Sequence, residues 1–420
     1  MAIRIIGGRI IDPARNVDEI GDIVISGDTI ANLGSVLADD EIIDASGLWV
    51  VPGLIDAHVH LREPGQKHKE SIATGLQAAA AGGFTATLPM PNTEPANDSP
   101  KITRTMIEKA RELGGTRIFP VSCVTVGRRG EQLAPFSKLC AAGAVAFSDD
   151  GSAVEDDEVM EQALEQCRVL KKPISQHAED PAFSKGGALH QGEVSKRLGI
   201  SGWPAEAEER IVSRDIALCE KTGAHVHVQH ISTRGAVELV RQAKARGLAV
   251  TAEVTPHHLH LTDEAAVKLG ALAKVNPPLR EVEDVKACRE ALVDGTIDII
   301  ATDHAPHTLE DKEGGLEKAA FGMVGLETAV PLILLLVERG ILTPARMVEA
   351  MSTMPARIFN LPGGTLAANA VADVTLIDPA APHTIDPASF RSKGRNTPFG
   401  GWKVPGRAVR TIVNGKTIQR

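Results

Sequence analysis

Three short β-branched runs broken by glycine turns open the chain: IRIIGGRII, DIVISGDTIANLG and EIIDASGLWVV. They give strand patterning over roughly the first 50 residues. From Ile55 to about Asn360 short apolar runs alternate with helical patterns, the signature of parallel βα units. Eight runs read as strands: LIDAHVH (54–60), TATLPM (85–90), RIFPVSCV (117–124), AVAFS (144–148), PISQH (173–177), HVHVQHI (225–231), AVTAEVT (249–255) and IDIIATD (297–303). Helical segments lie between them, among them SIATGLQAAAAGG and STRGAVELVRQAKARG, and several end in Gly as a C-cap should. Eight βα units in about 300 residues fit a TIM (β/α)8 barrel better than a doubly wound sheet. After Leu361 the pattern returns to strand in VADVTLID and VRTIVNGKTIQ, the latter with an Asn-Gly hairpin turn. The expected architecture is α/β: a barrel over residues 53–361, and a small β-sandwich built from both chain ends, residues 1–52 and 362–420.

Composition narrows the function. Net charge is −9 with no basic run, which argues against nucleic acid as a partner. Aromatic content is 3% with no Tyr, so base-stacking platforms are not expected. The five cysteines (123, 140, 167, 219 and 288) form no CxxC pair and read as reduced, buried small hydrophobes. The N-terminus lacks the pattern of a signal peptide. The longest apolar run, AVPLILLLV at 329–337, is too short for a bilayer. A cytoplasmic protein without membrane contact is expected.

Candidate chemistry lies where the predicted strands end. His58 and His60 are two apart and share a face of strand one. Asp149 and Asp150 follow strand four, His177 ends strand five, His230 strand six and Asp303 strand eight. In a TIM barrel these ends meet at the face that carries active sites. A lone histidine there is usually a rim or core residue; five strand ends bearing such side chains together point to a metal site. Imidazole and carboxylate without thiolate suit zinc, with manganese, cobalt or iron as other candidates. Two ions would hold a bridging hydroxide as nucleophile. Asp149 and Asp150 are also ordinary turn formers. His225, His227, His257, His258 and His260 read as structural or as donors to ligands, and His68, His190 and His383 as loop or surface residues.

The motifs DAHVHLREPG (56–65), PMPNT (89–93), FSDDG (147–151), SQHAED (175–180), QHIS (229–232), EVTPHH (253–258) and ATDHAPH (301–307) occur in this order. The chain resembles the amidohydrolase superfamily and, within it, the longer bacterial dihydroorotases, essentially end to end. The closing stretch GGTLAANAVADVTLID fits as well, with Asn369 where those proteins usually have Gly; Asn tolerates left-handed backbone.

The resemblance implies reversible ring closure of N-carbamoyl-L-aspartate to dihydroorotate in pyrimidine synthesis. It implies one or two zinc ions, two being favoured. His58, His60 and Asp303 would bind the more buried ion, His177 and His230 the second, with Asp150 as the bridge. Asp303 would also be the general base, and His60 would face substrate as well as metal. Arg62, Asn92 and His307 would hold the substrate carboxylate. Asn276 and the backbone around Phe321 and Gly322 would contact the ring. A homodimer and association with aspartate transcarbamoylase are open under the same resemblance. One alternative is another cyclic amidase, a hydantoinase or allantoinase; those typically carry a modified lysine at the end of strand four, where this chain has Ser148. A second is a non-catalytic partner of aspartate transcarbamoylase, which the complete ligand set argues against. The segment 308–322, charged and glycine-bearing, reads either as a lid over the site or as a plain exposed loop.

Overall fold

A computed structural model describes residues 2–31 and 41–418; the last three residues of DIVISGDTIANLG, 32–34, lie outside them. Eight parallel strands form the barrel: Leu54–Val59, Phe84–Pro89, Arg117–Ile118 with Val121–Ser122, Ala146–Phe147, Ile174–Gln176, Val226–Val228, Val250–Val254 and Ile299–Ile300. Each pairs with the next in parallel register. The ring closes where Val59 bridges His304 and the His60 amide donates to His304 O at 2.8 Å. Buried Asp56 reinforces that seam by accepting from Thr302 N at 3.0 Å and Thr302 Oγ1 at 2.6 Å. Burial pushes the Asp56 carboxyl up to about 6 against those bonds.

The regular strands are shorter than the apolar runs that announce them. Strand four is Ala146–Phe147 and strand eight Ile299–Ile300. The candidate ligands therefore sit up to three residues past the last paired position, on chain that bends. Phe147 anchors strand four: it is fully buried and stacks on Phe136 with ring centroids 4.1 Å apart. Truncating such a side chain costs about 3–5 kcal/mol, so the exit point of the Asp149-Asp150 pair is well fixed.

Helices follow the strands as the patterns predict. Ile72–Gly82 starts on a Ser71–Thr74 capping box and ends at Gly83 with φ 96°. Arg234–Ala245 starts on Thr233, whose side chain accepts from Ala236 N. The apolar run at 329–337 forms the buried helix Ala329–Glu338. No helix among the described residues is long and apolar enough to cross a membrane.

The β-sandwich strands come from both ends of the chain. In one hydrogen-bonded sheet the order is Lys416–Ile418, Arg407–Val413, Val374–Asp378, Trp49–Pro52, Ala2–Asp12, Val17–Ser26 and Thr29–Ala31, with Glu41–Asp44 also on Ala2–Asp12. Ile5, Ile25, Val50, Val374 and Ile412 pack together as its core. Asn414 and Gly415 turn the last hairpin with φ 46° and 71°, the two positive angles that an Asn-Gly turn supplies. Asn369 sits at φ 67°, so the one departure from the resemblance falls on a left-handed position that Asn accepts. The cysteines are all unpaired and four are buried, while Cys140 is half-buried.

Candidate metal centre and active site

The six predicted ligands come together at the C-terminal end of the barrel, and all are buried. His58 Nε2 lies 3.4 Å from Asp150 Oδ1 and 3.5 Å from Asp303 Oδ1. His60 Nε2 lies 2.9 Å from Asp303 Oδ1 and 3.5 Å from Asp150 Oδ2. His177 Nδ1 is 3.5 Å from Asp150 Oδ1 and 3.0 Å from His230 Nε2. Two groups have ligand atoms close enough to share an ion, His58–His60–Asp150 and Asp150–His177–His230. Asp150 belongs to both. Arg62, His230 and Asp303 hold φ values of 56°, 30° and 48°. Left-handed backbone at non-glycine residues is sparsely populated and clusters at functional sites.

His58 tests whether these residues fit a cation. Its Nδ1 pairs with Glu253 Oε1 at 2.6 Å, and a carboxylate can only accept, so Nδ1 carries the hydrogen. In the neutral ring Nε2 would then point its lone pair at two carboxylates, buried and without a hydrogen-bond partner. Lone pair against lone pair in a dry site is costly, and a cation relieves it. Burial disfavours charge on His58, yet Asp150, Glu253 and Asp303 outweigh that and raise its pKa well above the ordinary value. The pocket demands positive charge at this point.

The two aspartates of FSDDG separate cleanly. Asp149 Oδ1 accepts from Val124 N at 2.9 Å and Thr125 N at 3.1 Å, and Oδ2 accepts from the Thr125 hydroxyl. It ties the end of strand four to the end of strand three and meets none of the histidines. Asp150 is the carboxylate among them, its amide held by Ser148 Oγ at 3.0 Å.

A cavity of about 250 Å³ opens over this centre, lined by His60, Arg62, Asn92, Asp150, His177, His230, Asn276, Asp303, His307, Phe321 and Gly322 among others. Every predicted substrate contact therefore faces one space. Asn92 is already engaged: its Oδ1 takes His60 Nδ1 at 2.8 Å and its Nδ2 donates to Asp150 Oδ2 at 2.9 Å. It orients two of the candidate ligands whatever else it touches. His307 Nε2 lies 2.8 Å from Phe321 O and 3.3 Å from Arg62 Nη2. Burial and the Arg62 charge push His307 down to about 3, so its ring is neutral beside the Arg62 guanidinium.

The 308–322 segment folds against the barrel. Lys312 Nζ donates to Ala320 O at 2.7 Å and Lys274 O at 3.3 Å. Phe321 stacks on Trp203 with centroids 5.7 Å apart, and Lys274 Nζ lies 4.2 Å over the Phe321 ring. These contacts place Phe321 and Gly322 on the cavity wall.

Two carboxylates escape the reading of strand ends. Glu253, in strand seven, bonds His58 and also faces His227 Nε2 at 3.2 Å. Burial raises Glu253, but His58 and His227 pull it down to about 2. Glu179 sits two residues past His177 and pairs with it at 2.9 Å. The available signal was a glutamate inside a barrel strand, which is stable there only when paired. Carboxylates behind ligating histidines set ring orientation and basicity. Glu253→Gln is therefore expected to weaken metal affinity about 10- to 100-fold, read by competitive metal titration of the metal-free protein. His190, read as a loop or surface residue, is instead buried, its Nδ1 3.1 Å from Arg280 Nη1.

Comparison with known proteins places the chain in a family. A family model described as Dihydro-orotase-like matches residues 47–236. A dihydroorotase of Anaeromyxobacter dehalogenans is 50% identical over 417 residues, covering 98% of this chain and 96% of its own. One from Syntrophotalea carbinolica is 48% identical, covering 100% and 99%. Among solved structures, the L-hydantoinase (dihydropyrimidinase) from Arthrobacter aurescens matches with TM-score 0.89 at 27% identity, covering 100% of this chain and 96% of that one. Barrel and terminal β-sandwich are those of a cyclic-amide-hydrolase fold. The chain belongs to the dihydroorotase family.

Proposed function

We propose that this protein is a dihydroorotase, interconverting N-carbamoyl-L-aspartate and dihydroorotate plus water at a two-zinc centre. One observation carries the metal part: the unpartnered, buried lone pair of His58 Nε2 between two carboxylates. The sharing of Asp150 between two ligand groups supports two ions. His58, His60 and Asp303 would hold one, His177 and His230 the other, with Asp150 between them. Bound ions would polarise the amide carbonyl and lower the pKa of a water to near 7.

The chain's own residues supply the rest. Arg62, next to His307 in the cavity, is suited to a bidentate grip on the substrate carboxylate. That anchors the acyclic acid with its two reacting ends near Asp303. In the hydrolytic direction Asp303 Oδ1 takes a proton from the attacking water and returns it to the ring nitrogen as the carbon–nitrogen bond breaks. Ring closure runs the same transfers backwards and releases water. Residues 53–361 would form the catalytic barrel, with 1–52 and 362–420 as its β-domain.

The test is direct. Zinc-loaded protein is offered carbamoyl aspartate, dihydroorotate, hydantoin and allantoin in parallel. Dihydroorotate turnover in both directions is expected. Faster hydrolysis of hydantoin or allantoin would move the assignment to the other cyclic amidases, and no turnover with metal bound would overturn it.

A further inference from the structure

Glu179 joins the two halves of the site. Its Oε2 lies 2.9 Å from His177 Nε2 and 2.7 Å from Asn276 Nδ2, and its Oε1 accepts from the Ser184 hydroxyl. One carboxylate oxygen thus meets both a candidate metal ligand and a candidate substrate contact, the latter 97 residues from Glu179 in the chain. A carboxylate accepts and never donates. Two choices that an imidazole and a carboxamide normally leave open are thereby decided. His177 must carry its hydrogen on Nε2, which leaves the Nδ1 lone pair turned toward Asp150 and His230. Asn276 must turn its NH2 group to Glu179, which leaves its amide oxygen free. Among the described residues nothing donates to that oxygen, and Asn276 lines the cavity.

We propose that Glu179 is a positioning residue that fixes the His177 tautomer for metal binding and the Asn276 flip for substrate recognition, so that the cavity presents Asn276 as a hydrogen-bond acceptor for an N–H of the cyclic amide. The substrate half of this rests on the dihydroorotase reading; the metal half does not. The coupling explains why one acidic residue bridges the strand-five loop and the Asn276 loop. Metal affinity and substrate affinity share a single anchor.

Glu179→Gln separates the two roles, because a carboxamide offers a donor as well as an acceptor and no longer dictates either choice. Zinc titration of metal-free protein should show affinity about 10- to 100-fold weaker. With zinc saturating, KM for dihydroorotate should rise about 2- to 10-fold, the worth of one ordinary hydrogen bond, with kcat changed less. In an Asn276→Ala background the same substitution should leave KM where Asn276→Ala put it, while still weakening zinc. Glu179→Asp keeps an acceptor-only group on a shorter stem; it should fall between wild type and Glu179→Gln, and it carries the test if Glu179→Gln does not fold. Wild-type zinc affinity in these variants, or KM effects that add fully in the double variant, would overturn the proposal. An inactive wild type would instead overturn the functional reading, with the zinc titration still deciding the tautomer.

Discussion

Asp150→Ala is expected to strip the centre of zinc and lower kcat/KM by at least about 100-fold, more than loss of a residue behind a ligand would. Asp150 is the one side chain common to both ligand groups. Removing it leaves His58 and His177 each facing a gap where the shared acceptor stood, and frees the Asn92 amide that holds His60. Asp149→Ala should do something different. Val124 N, Thr125 N and the Thr125 hydroxyl all lose their acceptor in a buried place. An orphaned buried donor costs about 1–3 kcal/mol, so the melting temperature should drop while bound zinc per chain stays close to wild type. Metal analysis beside thermal unfolding of both variants decides it. If Asp149→Ala loses the zinc and Asp150→Ala keeps it, the bridge has been placed on the wrong carboxylate.

The separation of these neighbours shows where sequence reading reaches its limit. Strand periodicity and loop order place both at the catalytic end of strand four, since burial of the strand leaves the chain one way out. Which of them turns inward depends on the backbone after Phe147 and on Thr125 at the end of the neighbouring strand three, a contact between residues 24 apart in sequence that periodicity does not encode. The histidines were legible because HxH on one strand and single histidines after others are uncommon side chains at unusual positions. Glu253 and Glu179 were not. The one signal for Glu253 is its place inside a barrel strand, but its partner His58 lies far away in sequence, and so does Asn276, the second partner that gives Glu179 its place beside His177. The strand ends were overextended for a related reason. Apolar residues continue past the last paired position because the loops above the barrel are themselves buried, as Ala301 and Ala305 are.

Asp303→Asn should separate proton transfer from assembly of the site. Asp303 Oδ1 lies 2.9 Å from His60 Nε2 and the residue lines the cavity, and its backbone at φ 48° lies in a region that Asn enters as readily as Asp. The amide therefore fits without new strain and keeps an oxygen toward His60. What it lacks is a basic lone pair able to take a proton from water and release it to nitrogen. General base catalysis contributes about 10²–10⁴-fold, so kcat should fall by that factor in both directions of the reaction. KM should move far less, because Arg62 and Asn276 remain in place. The loss should appear in both directions, because in each the same group takes a proton and then returns it. Steady-state rates for dihydroorotate and carbamoyl aspartate, with zinc content measured on the same samples, give the comparison. A variant that keeps kcat within about tenfold of wild type would take the proton away from Asp303 and leave it a structural ligand.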